Sequence, residues 1–375
     1  MSKYEPFLQV KVEGVDVSKW VTSLSLTEDD RRVDHGVIQF VDRELVLVDS
    51  LQEGAMVEVD LGYNEAGKHA TVFKGYIMKS KLNISMGGLT QFQIFVLDES
   101  IKMGWEIKRV MWDSKKVKKV SDIVKKIVSA SGLSIGRIEI KPDPVITDHM
   151  TYHQYEMTDL TYLQYLAQET ACKCFVEYEG SNKFYFVPED AVLREVTEPL
   201  VYADATKTNL LDFQASYSYG YVQHHQSDWA VDPHTGKVVS HKGENLSGFP
   251  DWGNESSHLS EVKQWDSQLE QAAGKLTSKT KSKRKSLEKT LKKPRERSGW
   301  TSRTEEKLKE DDRILKTKQF GYNARGRALG NFELRAKSTV EIKGVGQRFS
   351  GKWYIHTVTH KIDSNGYQVY FECSR

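Results

Sequence analysis

The chain has 375 residues, of which 38% are hydrophobic and 28% charged, with a formal net charge of +2. That length accommodates two or three domains with cores of their own, and the composition is that of an ordinary soluble protein. No apolar run approaches the roughly 20 residues that cross a bilayer, the N-terminus MSKYEPFLQVKVEG lacks the apolar stretch of a signal peptide, and three cysteines, Cys172, Cys174 and Cys373, are too few for a disulfide framework, so a reducing compartment is expected.

Residues 1–105 read as consecutive strands. LQVKVEG, VTSLSL, GVIQFVD, MVEVDLGY, TVFKGYIMKSKLNI and LTQFQIFVLD are rich in β-branched and aromatic residues. Turn formers such as Asn64 to Gly67 and Gly87-Gly88 separate them. Short strands at this spacing, with no helical period between them, predict a first small β-barrel or sandwich.

Residues 106–205 change character. SDIVKKIVSASG is predicted to be a helix: Ser121 is a fitting N-cap, Ile123, Val124, Ile127 and Val128 form one apolar stripe, and Gly132 supplies the stop. TDLTYLQYLAQETA predicts a second helix, opening at Thr158 or Asp159, with Leu160, Leu163, Leu166 and Tyr162 on its buried side. It runs into two strands, CFVEYEG and NKFYFVP, joined by a turn at Gly180 to Asn182. This is a compact α+β unit.

From 206 to 375 strands return: LLDFQASYSYGYVQ, then a hairpin in SDWAVDPHTGKVVS around Asp232 to Gly236, and finally FELRAKSTVEIKG, GKWYIHTVTHKI and YQVYFECSR. Residues 253–318 interrupt them with 18 Lys or Arg against 11 Asp or Glu. Within it, residues 275–297 hold 11 basic and two acidic residues. That composition predicts a long charged insertion in a second β domain. Lys281, Lys283, Arg284, Lys285, Lys289, Lys292 and Lys293 are its candidate partner-binding residues. Nucleic acid is the alternative ligand, weakly supported because only Trp300 nearby could stack on a base.

Chemical signals are few. Gly346 to Lys352 spells G-x-x-x-x-G-K, but the next residue is Trp353 where a phosphate loop needs Ser or Thr. A helix should follow to hold the phosphate; WYIHTVT favours a strand. His356 and His360 have the spacing of a helical zinc pair, yet on a strand four rises separate them by roughly 13 Å. Two half-buried or surface histidines are expected instead. Cys172-Lys173-Cys174 lacks further ligands. Acidic runs such as Glu28-Asp29-Asp30 and Glu310-Asp311-Asp312 read as solvated. No catalytic, metal or cofactor site is expected; a cell-wall hydrolase is the enzymatic alternative and would need an acid pair or zinc site that the spacing does not reveal.

In order and spacing, several segments resemble the late control D family of contractile phage tails, relatives of the T-even baseplate hub and of the hub part of secretion-system spike proteins. VTSLSLTEDDRRVDHGVIQFVD, with Asp34 and Val37 to Val41, is similar to the family's first barrel, and GYNEAGKHATVFKGYI to its Gly-Tyr strand end and the strand around Gly75. TDLTYLQYLAQETACKCFVEYEGSNKFYFVP resembles its helix-plus-hairpin unit, and WAVDPHTGKVV the entry to its second barrel. VEIKGVGQRFSGKWYIHTVTHKI resembles its closing hairpin, with Gly351, Trp353, Tyr354 and His360 at matching positions. The charged 253–318 region departs from the family's short helix there. The resemblance implies a mixed β and α+β fold: two small tube-like β-barrels, 1–105 and 206–375, flanking a helix-plus-hairpin domain, 106–205. It further implies a homotrimeric, pseudo-sixfold baseplate hub, assembled in the bacterial cytoplasm and resident in the virion or injection-system baseplate. Its partners would be the tail tube and a spike carried on a separate protein, with tape-measure and wedge proteins as further contacts and no membrane anchor.

Overall fold

The computed structural model describes residues 5–65, 68–85, 90–148, 151–202, 208–217, 226–232, 235–242, 295–297 and 321–375, with Leu276, Thr280 and Lys283 as isolated positions. Alternating side chains set six longer strands in the first region: β1 Pro6–Val12, β2 Val21–Asp29, β3 His35–Val41, β4 Met56–Tyr63, β5 His69–Asn83 and β6 Gln91–Asp98, beside the two-residue strand Val15–Asp16, which pairs with β1. In β2 the alternation puts Leu24 and Leu26 inside and Ser25 and Thr27 on the other face, as a sheet with one buried side requires. The strands pair antiparallel in the order β2-β3-β6-β5-β4-β1.

The middle unit holds β7 Ile107–Trp112, α1 Val120–Ala130, β8 Ser134–Ile138, β9 Tyr152–Thr158, α2 Asp159–Glu169, β10 Cys172–Tyr178 and β11 Asn182–Pro188. Helix α1 begins a residue before Ser121, because the Asp122 carboxylate accepts the amides of Lys118 and Lys119 and caps the turn from inside. Helix α2 starts where expected, the Thr158 hydroxyl accepting the Thr161 amide at 3.2 Å. Ile123, Val124 and Ile127 share a separate core with Tyr162, Leu163, Leu166, Phe184 and Phe186. Truncating one of these aliphatic side chains to Ala costs about 2–5 kcal/mol.

The remaining strands are β12 Leu210–Tyr217, β13 Gln226–Val231, β14 Val238–Lys242, β15 Tyr322–Leu329, β16 Ser338–Lys343, β17 Gly351–Asp363 and β18 Gly366–Ser374. β13 and β14 form the expected hairpin, closed by Gly236, whose positive φ of 63° suits glycine. Arg295–Arg297 pairs with β13 in parallel. The others run β12-β15-β18-β17-β16, all antiparallel. This repeats, strand for strand, the β2-β3-β6-β5-β4 order of the first region. Arg194–Glu195 and Leu200–Val201 pair with β16 and so belong to this sheet.

The mixed β and α+β class stands, but the two β regions are not separate closed barrels. Among the described residues neither closes on itself. The edge of β2 that would meet β1 in a closed barrel is paired with β17 instead, from Leu24↔Ile362 to Asp29↔Thr357. The regions are thus open halves of one sheet with a common core, in which Leu24, Phe40 and Ile94 belong to the same cluster as Trp353, Val358 and Phe371. Of the charged insertion at 253–318, all but the positions named above lies outside the described residues.

Candidate assembly surface and buried charge cluster

The segment resembling a phosphate loop is a turn that feeds a strand. Ser350 donates its amide to the Gly346 carbonyl at 2.8 Å, and β17 begins at Gly351. Trp353 is fully buried, its indole N–H donating to the Phe349 carbonyl at 2.9 Å. The two histidines part company. His356 is half-buried, whereas His360 is fully buried rather than at the surface, because β2 covers its strand. Burial pushes the His360 imidazole down to about 3, so it is neutral, and its Nδ1 meets the Tyr367 hydroxyl at 2.8 Å. Cys172 and Cys174 are buried, and burial pushes the Cys174 thiol up to about 12. Of the seven candidate basic residues, Lys283 is exposed in helical backbone; Lys281, Arg284, Lys285, Lys289, Lys292 and Lys293 lie outside the described residues, as do Glu310-Asp311-Asp312.

The acidic run Glu28-Asp29-Asp30 is not solvated. Glu28 and Asp30 are 1% and 4% exposed. Glu28 lies inside because a cation from a distant segment meets it, and other buried acids are met in the same way. Arg335 pairs with Glu28 and, at 3.1 Å, with Glu177 of β10. Lys337 lies 3.0 Å from Glu177 and 3.4 Å from Asp34. Arg194 reaches Glu177 at 2.6 Å. Asp34 is tied to Asp98, whose carboxylate accepts the Asp34 amide at 2.8 Å. The cluster therefore joins the first β region, the middle unit and the last strands at one buried point. Burial would raise the Glu177 pKa, but Lys337, Arg335 and Arg194 outweigh it and hold the carboxyl at about 2. Asp34 goes the other way: burial, with Asp98, Glu28 and Glu177 close by, raises it well above the carboxylate range against the pull of Lys337.

A second polar chain adjoins it. Asp30 accepts from Tyr354 and sits 3.0 Å from His356 Nδ1, while His356 Nε2 meets the Ser374 hydroxyl. The order of contacts is that of a Ser-His-Asp triad. The setting is not that of a nucleophile. Ser374 is fully buried and paired in the ladder between Asn323 of β15 and Tyr354 of β17, so no carbonyl carbon can approach its Oγ. Lys173 donates to Tyr354 and, at 2.8 Å, to the Ala191 carbonyl; burial pushes its amine down to about 8. Among the described residues no group of three His, Cys, Asp or Glu could hold a metal ion.

What the fold does present is a wide hydrophilic sheet face. One row across it reads Asp212, Arg327, Tyr370, Thr359, Thr27 and His35, a residue from each of six successive strands. The next reads Gln214, Arg325, Glu372, Thr357 and Asp29. Neighbours pair off along these rows: Arg325 donates twice to the Gln214 side chain, Thr27 meets Thr359 at 2.9 Å, and Thr357 donates to Asp29 at 3.2 Å. Two shallow depressions of about 530 and 460 Å³ lie on this face. Several of the polar side chains there pair with one another, and both depressions are shallow and open, a poor match to the enclosed pocket that grips a small ligand.

The family described as the Alg8 N-terminal domain matches residues 7–280 and 250–364, across both β regions and the unit between them. The chain belongs to the Alg8 N-terminal domain family. No curated protein matches it. Among solved structures it is similar to the 43 kDa tail protein of prophage MuSo2 from Shewanella oneidensis, at 9% identity and a TM-score of 0.64, covering 99% of this chain and 98% of that one. A tail protein from Neisseria meningitidis MC58 is similar at 10% identity and a TM-score of 0.61, covering 99% and 97%. An Escherichia coli type VI secretion component, itself described as structurally similar to the T4 tail proteins gp27 and gp5, is similar at 12% identity and a TM-score of 0.54, covering 97% and 76%. The matching family is named differently from the late control D family, while these structures share the fold; the resemblance holds at the level of the phage tail-protein fold.

Proposed function

We propose that the chain is a structural hub of the baseplate in a contractile phage tail or a related injection system, where three copies form a pseudo-sixfold ring between the tail tube and the central spike. The observation that carries this reading is the single sheet in which two halves of identical strand order are joined edge to edge, with one continuous polar face. A chain holding two like units supplies six from three copies, which is what a junction between sixfold and threefold partners needs. The polar face would line the channel for the tail's passenger. The partners are the tube protein on one side, a separate spike protein on the other, and tape-measure and wedge proteins at the margins. The role is architectural: broad surfaces holding neighbours by shape complementarity, with no bond made or broken.

Light scattering on the purified protein, alone and mixed with its spike, tests the reading. A species of three times the chain mass is expected in at least one condition. Monomer under both would overturn it.

A further inference from the structure

We propose that successive copies of this chain join by pairing the outer edge of β5 in one copy with β12 of the next, reproducing between molecules the β17–β2 junction found within one. The proposal names the contact of the ring reading and rests on it for the number of copies.

The two halves match beyond strand order. β5 and β17 are both long strands that turn from one partner to another. Each carries a ladder irregularity against its hairpin mate, between Ile77 and Lys79 in β5 and between Ile355 and Thr357 in β17. Tyr76 and Tyr354 occupy like positions, opposite Met56 of β4 and Thr339 of β16. β2 and β12 match too: each is irregular one residue in from its start, between Val21 and Ser23 and between Leu210 and Asp212. Ile355 therefore corresponds to Ile77, and Leu26 to Ala215.

Within the chain, β17 gives its edge beyond the irregularity to β2, pairing Thr359 with Thr27, His360 with Leu26, Lys361 with Ser25 and Ile362 with Leu24. Among the described residues no strand pairs with the corresponding edge of β5, where the Glu53 side chain accepts the Ser80 amide at 3.1 Å just before the stretch 81–84, and none pairs with the outer edge of β12. Transferring the register pairs Lys81 with Ser216, Leu82 with Ala215, Asn83 with Gln214 and Ile84 with Phe213 of the next copy.

Burial supports the transfer. His360, covered by β2, is fully buried, while its counterpart Leu82 is 40% exposed and the adjoining Ile84 is 61% exposed. Leu24 and Leu26 are buried, while their counterparts Phe213 and Ala215 are only half-buried. Leu82 stands opposite buried Phe92 and so continues the core face. Lys81 and Asn83 would continue the polar face beside Ser216 and Gln214. The pairing thus brings apolar to apolar and polar to polar across the joint. An exposed strand edge with apolar side chains is otherwise an invitation to aggregate. A contact between two different edges is heterologous and closes only as a ring or runs on as a filament. Three copies would contribute 24 strands to the ring, which at about 4.8 Å each and barrel-like tilts gives roughly 40–50 Å between opposite backbones.

The test is cross-linking in the assembled protein. Leu82→Cys with Ala215→Cys, and separately Asn83→Cys with Gln214→Cys, are oxidised with diamide; the three native cysteines are all buried. Adjacent antiparallel pairs alternate between the two ladder classes, so one of the two lies in the closer, non-hydrogen-bonded class. Covalent multimers are expected from at least one double variant and from none of the four single variants. Ile84→Glu should weaken self-association at least about tenfold while leaving the monomer's melting temperature unchanged, since the side chain is exposed there. A protein that assembles to three copies but cross-links through neither pair overturns the junction and leaves the ring. One that remains monomeric at all concentrations overturns both.

Discussion

Glu177→Gln removes the charge on which the buried cluster turns and keeps its shape. The wild-type carboxylate lies 2.6 Å from Arg194, 3.0 Å from Lys337 and 3.1 Å from Arg335. Breaking a buried ion pair by removing one partner costs about 3–5 kcal/mol. The lower end applies, because Arg335 retains Glu28 and the Val72 carbonyl, and Lys337 retains Asp34. Arg194 is partly solvated and adds little. The lowered pKa of the same carboxyl points to the same order of magnitude. Glu177 is held at about 2 against an ordinary 4.5, and that shift corresponds to about 3 kcal/mol. Its sign is fixed: a depressed carboxyl contributes stability that is complete above its unfolded pKa and is lost as pH falls through about 2. Urea unfolding of wild type and variant, followed by tryptophan fluorescence, should show a loss of about 3 kcal/mol at pH 7 that shrinks between pH 4.5 and 2. Adding Lys337→Met should recover part of it, a coupling of about 1–3 kcal/mol. A loss below about 1 kcal/mol at pH 7, or strict additivity of the two changes, would refute the account of the cluster as mutually dependent charges.

Three further outcomes are expected. His360 is neutral and buried with its pKa lowered to about 3, so stability should decline as pH falls from about 6.5 towards 3, and the slope should flatten in His360→Gln, read from melting temperature against pH. Lys173, lowered to about 8 by burial, costs stability at neutral pH where the unfolded chain keeps its amine charged; Lys173→Met should be neutral to stabilising at pH 7, with any gain shrinking as pH rises from 8 towards 10.5. Deleting 275–293, a stretch poor in large apolar side chains that stops short of the Arg295–Arg297 strand, should shift the melting temperature by less than about 3 °C in a calorimetric scan.

Strands and helices were readable because each carries its own period: Leu24 and Leu26 alternate with Ser25 and Thr27, and Thr158 caps α2. The buried charges were not, because sequence shows an acid but not its counter-ion. Glu28 meets Arg335 from more than 300 residues away, and no local rule distinguishes it from a solvated glutamate. The burial of His360 is illegible for the same reason: what buries it is β2, at the other end of the chain. The duplicated strand order leaves little trace in the residues themselves. Ala215 stands where the first half has Leu26, and Gly326 pairs with Phe371 where Ile38 pairs with Ile94. Strand order and ladder irregularities survived while the side chains diverged.

That divergence follows from what each copy of the unit must touch. Strands β2, β3, β6 and β5 correspond to β12, β15, β18 and β17 through matching registers, and these are the strands that would form the ring. Outside them the halves differ: the first adds β1 antiparallel to β4, whereas the second adds Arg194–Glu195 and Leu200–Val201 parallel to β16 and has the charged 253–318 stretch in its sequence. A ring built from such chains would repeat six times where only the shared strands show and three times where the additions show. Sixfold and threefold neighbours could then be met by one molecule without any change of conformation. The buried charge cluster is consistent with that requirement, since Glu177 of the middle unit pairs with Arg335 and Lys337 of the second half, which in turn pair with Glu28 and Asp34 of the first.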